Sequence, residues 1–249
     1  TAVANLAPNA TYTLPTGSVG YEWDVDPDNG FRPAGAFHLS TSTYNLTSDL
    51  LLDYGATYGA GTATHHMTLY RAPSGALVFS AGTINWSWGL NSNHDNRWSF
   101  NNPAPDPNMQ QATVNLFADM GVQPATLQPG VVPATASSDT TPPVSTITSP
   151  ASGTTVNTGS SITVTGTASD TGGVVAGVEF SGDGGATWHP ANGRSSWSYA
   201  WTPTVVGAST TLLSRAVDDS GNLETPHGIT VSVAPQTCPC SIWNTSNAP

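Results

Sequence analysis

The stretch Ser181-Gly182-Asp183-Gly184-Gly185-Ala186-Thr187-Trp188 decides the fold of the second half of this chain. Before it, Val178 and Phe180 alternate with Glu179 and Ser181, the two-residue period of a half-buried strand. Asp183-Gly184-Gly185 supplies the positive-φ positions of a tight reversal, and Thr187-Trp188 restarts a strand. The whole reads as a β-hairpin with an aspartate in its turn and Trp188 in or beside the core.

Outward from that hairpin, strands recur at the spacing of a β-sandwich. The candidates are 145–149, 161–168, 177–182, 187–190, 196–201, 210–217 and 229–233. Ile162, Val164, Gly166 and Ala168 share one face, as do Trp197, Tyr199 and Trp201. The aromatic stripe reads either as core or as a sugar platform. Asp218-Asp219-Ser220-Gly221-Asn222, followed two residues later by Glu224, is an acidic turn before the last strand, read as an Asx-type turn or as a Ca²⁺ ligand set.

The first half is organised differently. Residues 21–30 form the most acidic run, with Asp24, Asp26 and Asp28 alternating before Gly30. Such alternation opens an EF-hand loop, but here the glycine falls one place late, Pro27 interrupts, and Gly35 stands where the closing glutamate belongs. A Ca²⁺ site of another geometry and a solvated acidic turn are both open. Residues 36–44 read as a strand, 54–62 as a glycine-rich loop, 67–70 and 76–80 as a hairpin around Ala72-Pro73-Ser74-Gly75, and 83–90 as a strand bearing Trp86 and Trp88. Residues 91–106 form a long polar loop holding His94, Asp95 and Trp98. Asp106-Pro107 caps and opens one helix, with Met109, Ala112, Leu116, Phe117 and Met120 on its apolar face and Gly121 as its stop.

Composition narrows the function. The 249 residues carry 16 acids against five arginines and no lysine, a net charge of −11. A surface without a basic patch excludes nucleic acid as a partner, and no apolar run is long enough for membrane insertion. Few charges with many Gly, Pro, Thr and Val residues suit a secreted or extracellular all-β protein with affinity for divalent cations. Without an initiating Met or a signal peptide, the chain reads as a mature or excised piece of a larger product. Cys238 and Cys240 are too close in sequence for an unstrained bridge and read as a terminal structural feature, with catalytic, metal-binding and intermolecular roles left open.

Three resemblances extend this reading. Ser-x-Asp-x-Gly-x-Thr-Trp at 181–188 is similar to the Asp-box of sialidases, a structural hairpin that repeats from blade to blade there and occurs once here. In the first half, Tyr21-Glu22-Trp23-Asp24, residues 64–79, residues 82–90 and the helix at 109–121 resemble the C-terminal part of the N,N-dimethylformamidase large-subunit-like domain. Asp139-Thr140-Thr141-Pro142-Pro143 resembles the start of a bacterial immunoglobulin-like repeat.

The implied organisation is mainly β. It has an incomplete α/β, amidotransferase-like end piece at 1–130, a linker at 131–141, an immunoglobulin-like β-sandwich at 142–235 and a tail or further module at 236–249. The resemblance to the dimethylformamidase domain implies a cysteine nucleophile or a tyrosine- and carboxylate-held iron. Residues 1–130 contain no cysteine, and Tyr21 with Glu22 is the one local pair that could be nominated for the iron.

Three functions compete. The leading one is a non-catalytic structural or interaction segment of a secreted bacterial multidomain protein, whose partner is the remainder of the parent polypeptide or another chain. The second is a hydrolase of amide or glycosidic bonds using Glu22, His65, His66 or His94, although no Gly-x-Ser-x-Gly element is present and adjacent histidines on a strand face opposite ways. The third is carbohydrate binding through exposed tryptophans.

Overall fold

The computed structural model describes residues 2–7, 10–20, 22–93 and 104–236. His94, Asp95, Trp98, Tyr21, Cys238 and Cys240 lie outside the described residues. The chain divides into two compact units: Thr1–Asp26, His38–Leu69 and Pro73–Ser138 in one, and Pro27–Phe37, Tyr70–Ala72 and Asp139–Pro249 in the other.

The first unit is built on a three-stranded sheet of order β1 (Phe37–Leu52), β2 (Thr57–Arg71) and β3 (Leu77–Ser80). Strand order follows chain order through short turns, the mark of a meander. Strand–helix–strand layering, the α/β end piece expected from the sequence, is not evident among the described residues. The turn between β1 and β2 places Asp53, Tyr54 and Gly55 at φ 50°, 55° and 93°, and Thr57 Oγ1 donates to Asp53 Oδ2 at 2.6 Å.

The stretch read as a glycine-rich loop is therefore the start of β2. Its glycines have a packing reason: a Cβ on Gly59 or Gly61 would come within 2.9 Å of Leu52 and 2.6 Å of Leu50 across the hairpin. The stretch read as a strand at 83–90 is instead a 3-10 turn at Trp86–Gly89, entered from a single bridge between Thr83 and Trp23.

The helix α1 (Pro107–Asp119) is capped as its sequence predicts: Asp106 Oδ1 accepts from the N–H groups of Asn108 and Met109. It stops at Gly121, φ 77°, with Val122 N–H donating back to Phe117 O. The buried face is Met109, Val114 and Ala118; Ala112, Phe117 and Met120 are exposed, so the predicted apolar face is rotated.

The second unit is a two-sheet sandwich. One sheet has the order β4 (Val144–Ser149), β6 (Ile162–Ser169), β10 (Ser196–Trp201), β9 (Asn192–Gly193). The other runs β5 (Thr155–Asn157), β12 (His227–Ala234), β11 (Gly207–Asp218), β7 (Val175–Ser181), β8 (His189–Pro190). Their inner faces bury one core, in which Val164, Phe180, Leu212 and Ala216 are fully enclosed and Trp197 is 2% exposed.

Trp197 belongs to the core, and Tyr199 and Trp201 pack against it while remaining partly exposed. The Trp197 ring lies over Gly166, where a Cβ would collide with the ring and with Thr146 O. Trp188 stands beside this core rather than in it: it is half-buried and carries the Arg215 guanidinium 3.9 Å from its ring centroid. One feature departs from a half-buried strand. Glu179, on the face of β7 opposite Val178 and Phe180, is only 2% exposed, because the segment Pro27–Phe37 lies over it within the same unit.

Candidate functional site

The hairpin that organises the sandwich is held by its own side chains. Ser181 Oγ donates to Asp183 Oδ1 at 2.7 Å and accepts from Gly185 N–H at 2.8 Å. Asp183 also accepts from Thr187 N–H and, at 2.6 Å, from Thr187 Oγ1. Burial works against ionisation of Asp183, but these bonds, with a further one from the Ala186 backbone, outweigh it and hold the carboxyl below its ordinary pKa. Every polar atom of the clasp faces another, so it is a fold element.

Behind the hairpin, Glu179 receives two cations. Arg215 Nε donates to Oε2 at 2.7 Å and Arg32 Nη1 to Oε1 at 3.3 Å. Gly35 N–H adds a third donor at 3.2 Å, and Arg32 Nη2 reaches Ala36 O at 2.9 Å. Glu179 thereby anchors the segment Pro27–Phe37 to the sandwich. Asp28, in the same segment, meets His189 Nδ1 at 2.7 Å.

The acidic turn after β11 splits into two roles. Glu224 is a strand clamp, accepting from Ser145 N–H on β4 at 2.9 Å and from Ala216 N–H on β11 at 2.7 Å. Asp218 is fully buried and accepts from the N–H groups of Ser220 and Asn222 and from Asn222 Nδ2, at 2.8–2.9 Å. Desolvation first, and the nearby Asp139 charge after it, push its carboxyl above the usual range despite these bonds.

Topology brings other acids to Asp218. The register Val144↔Ser169 in β4–β6 sets Asp139 beside Asp170, and Asp218↔Val175 in β11–β7 sets the acidic turn beside the 170–174 loop. Carboxylate oxygens of Asp139, Asp170 and Asp218 lie within 4.8 Å of one another. Asp219 joins them at Gly173: a Cβ there would stand 2.6 Å from Asp139 Oδ2 and from Asp219 Oδ1, and 2.7 Å from Asp170 Oδ2. Asp139 and Asp170 were not singled out from sequence. Each precedes turn residues, Thr-Thr-Pro-Pro and Thr-Gly-Gly, but only strand register shows that the two turns share one end of the sandwich.

The remaining sequence candidates are scattered by comparison. Asp24 is exposed and pairs through its main chain with Gly82 and His66. Asp26 meets His38 Nε2 at 2.8 Å, and its N–H donates to His66 Nδ1; the His38 and His66 rings stack at 3.9 Å. His65 is buried and bonded to Ala81 O at 2.9 Å, on the opposite strand face from His66 as alternation requires. Glu22 is exposed, and its carbonyl accepts from Ile84 N–H at 3.5 Å. The structure does not bring Glu22 and the histidines to one catalytic cluster among the described residues. A groove of about 610 Å³ on the sandwich is lined by Asp183, His189, Tyr199 and Trp201.

Residues 143–221 match the family model described as a bacterial Ig domain, and residues 5–98 match the one described as N,N-dimethylformamidase beta subunit-like, C-terminal. No curated protein matches. Among solved structures, the fibronectin(III)-like modules of CbhA from Clostridium thermocellum align at 22% identity over 38% of this chain and 100% of that one, with a TM-score of 0.32. The PKD domain of an M14-like peptidase from a Thermoplasmatales archaeon aligns at 17% identity over 39% and 97%, with a TM-score of 0.30. A modular endo-beta-1,4-mannanase from Cellulomonas fimi aligns at 22% identity over 41% and 20%, with a TM-score of 0.27. The chain thus joins a stretch similar to the C-terminal region of dimethylformamidase beta subunits to a stretch similar to a bacterial Ig domain.

Proposed function

We propose that this chain is a non-catalytic segment of a secreted bacterial multidomain protein, with the immunoglobulin-like sandwich as spacer or adhesive unit. The observation that carries the reading is the anchoring of Pro27–Phe37 on Glu179. Arg32 and the buried Glu179, itself paired with Arg215, hold earlier sequence on the sandwich, which is the work of a load-transmitting module. Exposed Leu51, Tyr54 and Tyr58 around the β1–β2 turn favour contact with the rest of the parent polypeptide or with another chain. The full chain, incubated with panels of amide and glycoside substrates, is expected to give no turnover above buffer. Turnover that disappears in Glu22→Gln or His65→Asn would replace this reading with a hydrolase.

The groove lined by Tyr199 and Trp201 favours a second reading, carbohydrate binding. A saturable change in tryptophan fluorescence on titration with soluble oligosaccharides would select it, and a flat titration removes it.

A further inference from the structure

The geometry points to a Ca²⁺ site at the end of the sandwich where the chain enters β4, built from Asp139, Asp170 and Asp218, with Asp219 at its margin. Carboxylate oxygens of the first three lie within 4.8 Å of one another, a separation at which one cation can touch all three. Proximity of acids is common on protein surfaces and would not suffice. What singles this cluster out is Asp170. Both of its carboxylate oxygens are buried and have no hydrogen-bond partner among the described residues, and its Oδ2 points to the Gly173 position that Asp139 and Asp219 also face. A buried carboxylate without donors is among the costliest arrangements a fold can hold, and coordination to a metal relieves it.

The donor set selects the metal. The cluster offers oxygen only, with no His or Cys in the group, which suits a hard cation rather than zinc or copper. Asp218 already spends Oδ1 on two N–H donors but accepts a single bond at Oδ2, which leaves a lone pair there for a ligand bond. Several carboxylates with room for carbonyls and water match the six to eight irregular oxygens that Ca²⁺ takes, better than the strict octahedron of Mg²⁺. Gly172, at φ 113°, and Gly173 keep the loop clear of side chains where the oxygens meet.

Bound there, Ca²⁺ would tie the residues entering β4 to the ends of β6 and β11. The test uses the full chain stripped with a chelator and titrated with Ca²⁺, by calorimetry and by thermal melts at constant ionic strength. Extracellular modules bind Ca²⁺ with Kd of about 10⁻⁴–10⁻³ M. At 5 mM, the tighter value predicts a rise of roughly 10 °C in the Tm of the sandwich, with a smaller one for Mg²⁺. Asp170→Asn should weaken binding at least about tenfold and remove the rise, without lowering the Tm of the metal-free protein, because it relieves repulsion. A purely structural Asp170 would instead lower the Tm with and without Ca²⁺. Asp219→Asn serves as a second, milder variant, and Asp49→Asn, an exposed acid on β1, should leave the response intact. No heat and no Tm shift at 5 mM Ca²⁺, or an undiminished response in Asp170→Asn, overturns the site.

Discussion

Replacing Glu179 with glutamine keeps the shape of the side chain and removes its charge. Two guanidinium groups then lose the carboxylate they share, Arg32 with 3% and Arg215 with 11% of its side chain exposed. Removing one partner of a buried ion pair costs about 3–5 kcal/mol, most of it the penalty of the stranded charge. For a domain of this size, 1 kcal/mol moves Tm by about 4–8 °C, so a loss of roughly 12 °C or more is expected. Arg32→Met should cost less, about 1–3 kcal/mol, because Glu179 keeps Arg215 at 2.7 Å and Gly35 N–H at 3.2 Å. Combining Arg32→Met with Glu179→Gln removes one stranded charge along with its partner. The double variant should therefore be more stable than the sum of the singles by at least about 1 kcal/mol. Urea titration of all four proteins closes the cycle. A Glu179→Gln variant within 1 kcal/mol of wild type, or strict additivity, would refute the view that this network anchors Pro27–Phe37.

Trp197→Ala should cost about 3–5 kcal/mol in denaturant titration, since the ring is enclosed and also donates from Nε1 to Thr167 O at 3.2 Å; a loss under 1 kcal/mol would place it outside the core. Asp106→Ala removes the Oδ1 that accepts from both N–H groups at the start of α1 and should cost about 0.5–2 kcal/mol, read in the same titration. Asp183 has a folded pKa below its unfolded value of about 3.9, so its contribution is present above that pH and is lost as pH falls through the folded value. Asp183→Asn should accordingly flatten the acid limb of the melting curve below about pH 4, and an unchanged limb would contradict the clasp.

The sandwich was legible because its signals are local. Alternation around Val178 and Phe180, Asp183-Gly184-Gly185 as a turn, and the inward run of Val164, Gly166 and Ala168 each state their own geometry, and the strands lie where they were read. The first unit was read less well for equally local reasons. Gly59 and Gly61 look like loop residues until Leu50 and Leu52 are seen crossing over them, and the turn before them puts Asp53 and Tyr54 at positive φ ahead of Gly55. Trp86 and Trp88 alternate like strand residues, yet Thr83 ends its bridge after one pair and the chain coils into a 3-10 turn.

Charge at the candidate site was legible only in part, because a carboxylate in sequence does not say what satisfies it. Glu224 and Asp218 belong to one acidic turn, yet strand N–H groups claim both oxygens of the first, while the second turns toward Asp139 and Asp170. Glu179 looked like the solvent side of a strand, and Arg32, 147 residues earlier, makes it an anchor. In each case the partner comes from a distant segment placed by strand register, so alternation predicts which face an acid occupies but not what covers that face. With five arginines against 16 acids, protein cations cannot neutralise every buried carboxylate. Those reached by arginine or by backbone N–H become struts. Asp170, reached by neither among the described residues, is where a cation from solution has most to contribute.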